Sequence, residues 1–83
     1  MKIKMYGISS CHDCIDAEKI LKENQIEFEY LDFAKEPLYL KEFLQIRDHN
    51  SLFKDVRDGG YIGIPCFVFE NGTISLEISD VIG

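Results

Sequence analysis

Residues 6–21 read YGISSCHDCIDAEKIL, and this stretch decides the fold. Cys11 and Cys14 stand three positions apart, where an apolar strand gives way to a helix. Upstream, Ile3 and Met5 alternate with lysines, a strand signal over Lys2 to Tyr6, and GISS follows as a turn. Downstream the period changes. Cys14, Ala17 and Leu21 recur at helical spacing, with Ile20 widening the stripe, and the helix is expected from His12 to Asn24. Asp13, Asp16 and Glu18 sit early in it and Lys19 and Lys22 late, an order that complements the helix dipole. The same two cysteines could hold a metal, clasp a structural disulfide or trade electrons, and the rest of the chain has to decide.

The next elements extend the pattern. IEFEYLDF, residues 26–33, reads as a second strand, with Ile26, Phe28 and Tyr30 on one face and Leu31 and Phe33 on the other. Strand, helix and strand make a βαβ unit, so the two strands should be parallel. Pro37 opens a further helix at a position that tolerates proline, and Leu40, Phe43, Leu44 and Arg47 keep its period. DHNS interrupts it; Ser51 is expected to cap a short helix carrying Leu52, Phe53 and Val56, which Gly59-Gly60 ends. CFVFENGTISLEI then reads as a hairpin about Asn71-Gly72, with Phe69 opposite Ile74 and Phe67 opposite Leu76. The order β-α-β-α(α)-β-β defines an α/β, thioredoxin-like arrangement: a four-stranded mixed sheet with helices on both faces, in one domain spanning residues 1–83.

Composition narrows the function. The chain has 83 residues, 46% of them apolar, which suits a single modest core. Fifteen acidic against nine basic residues give a net charge of −6, which disfavours nucleic acid and anionic membrane partners. The opening MKIKMYG is too interrupted by lysine for a signal peptide, so the expected compartment is the cytoplasm. Thiols are kept reduced there, and three cysteines make an odd number for a disulfide framework.

A helix N-terminus presents free backbone N–H groups and a positive dipole end, and both favour thiolate, the reactive form of cysteine. The geometry therefore gives Cys11, just before the helix, the part of exposed nucleophile. Cys14, one turn deeper on the same face, is the resolving thiol. The second signal is GIPCF: Pro65 stands directly before an expected internal strand, where proline is usually found only at the start or the edge.

With these residues in view the chain resembles a glutaredoxin, and most closely the small bacterial glutaredoxin-related proteins. The likeness rests on YGISSCHDC, on IPCFVFENG and on the element order over nearly the full length. It implies thiol–disulfide exchange, a cis Pro65 packed against the cysteine pair, and an Ile64 backbone that pairs with an extended thiol substrate, glutathione or a peptide. It further implies that Ser79-Asp80 holds glutathione. Three departures stand out. His12 and Asp13 lie between the cysteines, where proline and tyrosine are usual, and are candidate modulators of the thiolate. Glu77 and Ile78 replace the glycines before Ser79-Asp80. The last helix of the family is expected to be truncated or absent, which would bare apolar side chains of the hairpin and favour a weak homodimer.

The expected function is a thiol–disulfide oxidoreductase, with no bound cofactor and no metal, and with glutathione as a co-substrate. Its partners are a disulfide-containing protein or glutathione, and a reductase or glutathione as reductant. Three alternatives stay open: an electron donor of the same shape reduced by thioredoxin reductase, a metal or iron–sulfur module using Cys11, Cys14, His12 and Cys66, and an interaction domain that keeps the fold without turnover. Cys66 is otherwise expected to be a buried small apolar residue. His49 is read as a loop residue. Tyr6, Tyr39 and Tyr61 are read as packing or half-exposed groups, and Arg47 and Arg57 as surface charges that could meet the carboxylates of glutathione.

Overall fold

The computed structural model describes residues 2–83. Strand β1 runs Ile3–Gly7, helix α1 His12–Glu23, strand β2 Phe28–Asp32 and helix α2 Pro37–His49. A 3₁₀ turn at Ser51–Phe53 leads into α3, Lys54–Asp58, followed by β3 at Cys66–Val68, β4 at Ile74–Ser75 and α4 at Ser79–Ile82. The sheet order is β2-β1-β3-β4. β1 pairs parallel to β2, with Ile3 opposite Phe28, and antiparallel to β3, with Met5 opposite Phe67. This is the four-stranded mixed sheet of the thioredoxin-like fold.

Strand alternation sorts the core into two layers. Ile3, Met5 and Phe67 face α1 and pack with Cys14, Ala17 and Leu21. Tyr6, Leu31, Phe33 and Cys66 face the other way, toward Phe43 of α2 and Phe53 of the 3₁₀ turn. Phe43 is the hub of that layer, with ring centroids 5.5 Å from Phe33, 5.9 Å from Phe53 and 6.0 Å from Tyr6. Aromatic pairs at such spacing add about 0.5–1.5 kcal/mol each to their area burial.

Four expectations are corrected. The hairpin register is shifted by one residue from that of a two-residue turn: Phe67 faces Ser75 and Val68 faces Ile74. The Gly72 N–H donates to the Phe69 carbonyl at 2.9 Å, the Phe69 N–H donates to the Thr73 carbonyl at 2.8 Å, and Gly72 takes φ +90°. That is a three-residue loop with glycine in the left-handed position, the other common hairpin solution. The shift exchanges the faces of β4, so that Ile74 joins the α2 layer and buried Ser75 stands opposite Phe67.

The cap of the 3₁₀ turn is Asn50, whose Oδ1 accepts from the Leu52 N–H at 2.8 Å, and Ser51 is the first residue inside the turn. His49 is the last residue of α2 and not a loop residue, its Nδ1 lying 2.8 Å from the Gln45 carbonyl.

The last helix survives as the single turn α4. From it and the residue before it, Val81 and Ile78 pack against the α1 layer. The hairpin side chains Phe69, Ile74 and Leu76 are accordingly half-buried, and the bare face expected there is absent. Exposed apolar surface lies instead around Tyr61 and Ile62, which are 70% and 56% exposed.

Candidate active site

β1 ends at Gly7, and a turn over Ile8–Ser10 delivers the chain to Cys11. The Cys11 N–H donates to the Ile8 carbonyl at 3.0 Å, and the Cys11 carbonyl accepts from the Ile15 N–H at 3.0 Å, the first bond of α1. Cys11 is thus the N-cap residue, with extended backbone (φ −86°, ψ 125°) and a sulfur that caps nothing. Its side chain is half-buried, whereas Cys14, in the first turn, is fully buried. The two sulfurs are close enough that the Cys11 sulfur acts on the Cys14 thiol.

Burial pushes the Cys14 thiol up to about 12. The neighbouring Cys11 sulfur and the Asp13 charge push the same way, and a backbone hydrogen bond from Ile8 pulls against them. At neutral pH Cys14 is a thiol. Beside it stands the Tyr30 ring, whose hydroxyl is buried without a hydrogen-bond partner among the described residues. Its phenol is raised well above the ordinary tyrosine value, chiefly by desolvation and next by the charge of the Cys14 sulfur.

Two residues that sequence reasoning passed over shape this loop. A Cβ on Gly7 would lie 2.7 Å from Cys14 Sγ, so only glycine leaves room for the sulfur. Asp32, 3% exposed at the end of β2, accepts at Oδ1 from the Ala34 N–H at 2.9 Å and the Ser9 N–H at 3.3 Å. It ties the loop before Cys11 to the neighbouring strand. Both positions left a trace: a glycine closing the first strand, and an acid at the buried end of an apolar one.

The Ile64–Pro65 bond is cis, and both residues line a groove with Asp13, Asp16 and Ala17 of α1. Ile64 touches both core layers. Among the described residues its backbone makes no hydrogen bond to other backbone. Two grooves meet at its side chain. One, of about 280 Å³, is lined by Asp13, Asp16, Ile20, Pro65 and Glu77 as well as Ile64. The other, of about 480 Å³, is lined by Ile8, Leu40, Arg47, Tyr61 and Ile62 as well as Ile64.

The remaining candidates are distributed as follows. His12 Nδ1 lies 3.1 Å from Asp16 Oδ2 in an exposed pair, a kind of contact that contributes little. Asp80 Oδ2 accepts from the buried Ser75 hydroxyl at 2.6 Å, and Ser79 opens α4. Cys66 is fully buried in the α2 layer, on the opposite face of the sheet from Cys14, so the strand separates it from the pair. The Arg47 and Arg57 guanidinium groups serve the backbone: Arg47 Nη2 donates to the Tyr61 carbonyl at 2.8 Å, and Arg57 Nη1 to the carbonyls of Arg47 and Asn50 at 2.6 and 3.0 Å.

A thioredoxin-like sheet with a C-x-x-C pair at the start of α1, and a cis Ile-Pro step that lines a groove along the same helix, defines a class of small thiol-bearing α/β proteins. The glutaredoxin family model matches residues 3–68, well over half of the chain and inclusive of Cys11, Cys14 and Pro65; the chain belongs to the glutaredoxin family. The chemistry of that family is thiol–disulfide oxidoreduction. An uncharacterized protein of Haemophilus influenzae is 24% identical over 75 residues, which cover 90% of this chain and 87% of that one. No solved structure matches the chain. No helix among the described residues is long and apolar enough to cross a membrane.

Proposed function

We propose that the protein is a dithiol oxidoreductase that reduces protein disulfides or glutathione mixed disulfides. The observation that carries this reading is the asymmetry of the pair: a half-buried Cys11 at the helix N-cap, and a fully buried Cys14 whose sulfur is within reach of it. The Cys11 thiolate attacks one sulfur of the substrate disulfide. That S–S bond breaks, the second sulfur leaves as thiolate and takes a proton, and a mixed disulfide joins Cys11 to substrate. Cys14 then loses its proton to water and attacks Cys11 Sγ. The mixed disulfide breaks and the substrate leaves as a thiol. The substrate has gained two electrons, and the protein holds a Cys11–Cys14 disulfide. Glutathione or a reductase restores the dithiol. A cytoplasmic setting, where thiols are kept reduced, fits this direction.

A second reading concerns the reductant. Asp13, Asp16 and Glu77 line the groove beside Pro65, where the anionic glutathione tripeptide would lie, and this favours thioredoxin reductase as the electron source. The test of function is a pair of variants assayed with each reductant. Cys11→Ser should abolish disulfide reduction, and Cys14→Ser should accumulate a mixed disulfide on Cys11. Full turnover in Cys11→Ser with a dead Cys14→Ser would reverse the roles.

A further inference from the structure

The two grooves that meet at Ile64 differ in character. On the α1 side the charged groups are Asp13, Asp16 and Glu77, and among the described residues no lysine or arginine lines that groove. All three carboxylates are on exposed residues. Asp16 pairs with His12 at 3.1 Å, the polar atoms of His12, Asp13 and Asp16 all lie within 4.8 Å of one another, and among the described residues Asp13 and Glu77 have no ion-pair partner. On the α2 side the groove is apolar, and Tyr61 and Ile62 stand 70% and 56% exposed along it. Its one charged residue, Arg47, already donates to the Tyr61 carbonyl.

Resting on the dithiol reading above, we propose that the substrate is a cationic protein segment. It would lie extended past Ile64, with lysine or arginine on one side of its disulfide cysteine and large apolar side chains on the other. Three observations choose this occupant. Among the described residues the Ile64 backbone makes no hydrogen bond to other backbone, so an extended chain can hydrogen-bond to it as an added strand does. The carboxylates of Asp13, Asp16 and Glu77 in the groove that Ile64 and Pro65 line favour a cation and repel an anion, and the net charge of −6 acts in the same sense at longer range. Exposed Tyr61 and Ile62, continuous with Ile64, offer the apolar area that a folded or unfolded peptide stretch covers and a small tripeptide does not.

The test uses the reduced full-length protein in single turnover. The substrates are synthetic peptides whose one cysteine is capped as a mixed disulfide with 2-mercaptoethanol. All carry Leu-Phe on one side of the cysteine, and Lys-Lys, Gln-Gln or Glu-Glu on the other, with the opposite order as a second set. Bis(2-hydroxyethyl) disulfide reports the dithiol chemistry alone. In one of the two orders the lysine peptide should be reduced about tenfold faster than the glutamate peptide at low ionic strength, and the ratio should shrink as salt is added. The ratio should also fall in Glu77→Gln combined with Asp16→Asn. Replacing Leu-Phe by Ser-Ser should slow the lysine peptide. Equal rates for the three charge types, or a faster glutamate peptide, with bis(2-hydroxyethyl) disulfide still reduced, would overturn the substrate class while leaving the dithiol reading in place. Failure to reduce bis(2-hydroxyethyl) disulfide would overturn both.

Discussion

Gly7 and Cys14 are fitted to one another: the Cβ that Gly7 lacks would lie 2.7 Å from Cys14 Sγ, and the next nearest atoms would be Cys14 Cβ at 3.4 Å and Tyr30 Cε1 at 3.5 Å. Gly7 is a buried strand residue whose carbonyl accepts from the Phe33 N–H, so the backbone there cannot easily retreat. The small residue is the reason a sulfur can sit beneath the turn that presents Cys11.

Gly7→Ala should therefore act on the second chemical step. The added methyl must displace Cys14, at a cost of about 1–3 kcal/mol typical of overpacking. Denaturant unfolding would read that loss. The mixed disulfide on Cys11 should persist longer than in the wild type, as followed by intact-mass analysis after mixing with a disulfide substrate. An unchanged lifetime would mean that Cys14 resolves from a different position.

The burial that protects Cys14 also sets a pH dependence. With its thiol at about 12, the thiolate fraction rises about tenfold per pH unit through the neutral and mildly alkaline range. In Cys11→Ser, alkylation of Cys14 should be slow at pH 7 and climb log-linearly past pH 9 without a plateau. A plateau near the ordinary cysteine value would show that Cys14 is not desolvated.

The same shift bears on stability. Both Cys14 and Cys66 are raised to about 12, Cys66 by burial alone, while an unfolded cysteine titrates near 8.5. The folded state therefore favours the neutral thiols. Their stabilising contribution is fully present below the unfolded pKa and is lost as pH rises from there toward the folded value. Stability should fall above about pH 8.5, by at most about 1.4 kcal/mol per pH unit for each thiol. Cys66→Ala should flatten the alkaline limb relative to wild type in a urea-midpoint series from pH 7 to 10.

The parts of this fold legible in the sequence are those written in periodicity. Cys14, Ala17 and Leu21 announced the buried face of α1, and the two faces of β2 separated as their alternation required. Position relative to a helix end was equally readable, which is why Cys11 at the N-cap and Cys14 within the first turn could be anticipated. What could not be read were choices between local solutions of similar energy. Asn71-Gly72 is compatible with a two- or a three-residue loop, and only the demand for Ile74 in the α2 layer decides between them. Asn50 and Ser51 are both capable caps, and one residue of backbone geometry selects Asn50. The four-residue α4 is too short to declare itself by propensity; it is held by Ile78 and Val81 packing on the sheet and by the Ser75–Asp80 bond. Gly7 and Asp32 act through long-range contacts, with Cys14 and Ser9 respectively, and no local pattern encodes these.

Asp32 should prove to be a positioning residue. Its Oδ1 accepts two backbone N–H groups, one of them from the loop before Cys11. Asp32→Ala leaves those donors without a partner at a buried site, at about 1–3 kcal/mol, whereas Asp32→Asn retains an acceptor oxygen. The alanine variant should alter the alkylation rate of Cys11, and the asparagine variant should restore it. Equal rates in all three proteins would reduce Asp32 to a purely structural role at the end of β2.

The Ser75–Asp80 contact separates two roles for the same carboxylate. In the fold, Asp80 Oδ2 accepts from the Ser75 hydroxyl at 2.6 Å, and Ser75 Oγ in turn accepts from the Glu77 N–H at 3.0 Å. This chain of bonds fixes the turn between β4 and α4, and with it the wall of the groove that contains Glu77 and Ile78. A charge-assisted bond of this kind contributes about 1.5–3 kcal/mol. Ser75→Ala should lower stability by about that amount. It removes the donor that engages Asp80 without touching the carboxylate itself. If Asp80 serves the fold, Ser75→Ala and Asp80→Asn should be similarly destabilised, and the double variant should cost little more than either, since the two share one interaction. Glutathione titrated against the reduced wild type should bind weakly, and neither variant should weaken it much further. A wild type that binds glutathione tightly, with Asp80→Asn abolishing that binding at unchanged stability, would give the carboxylate to the ligand and not to the fold.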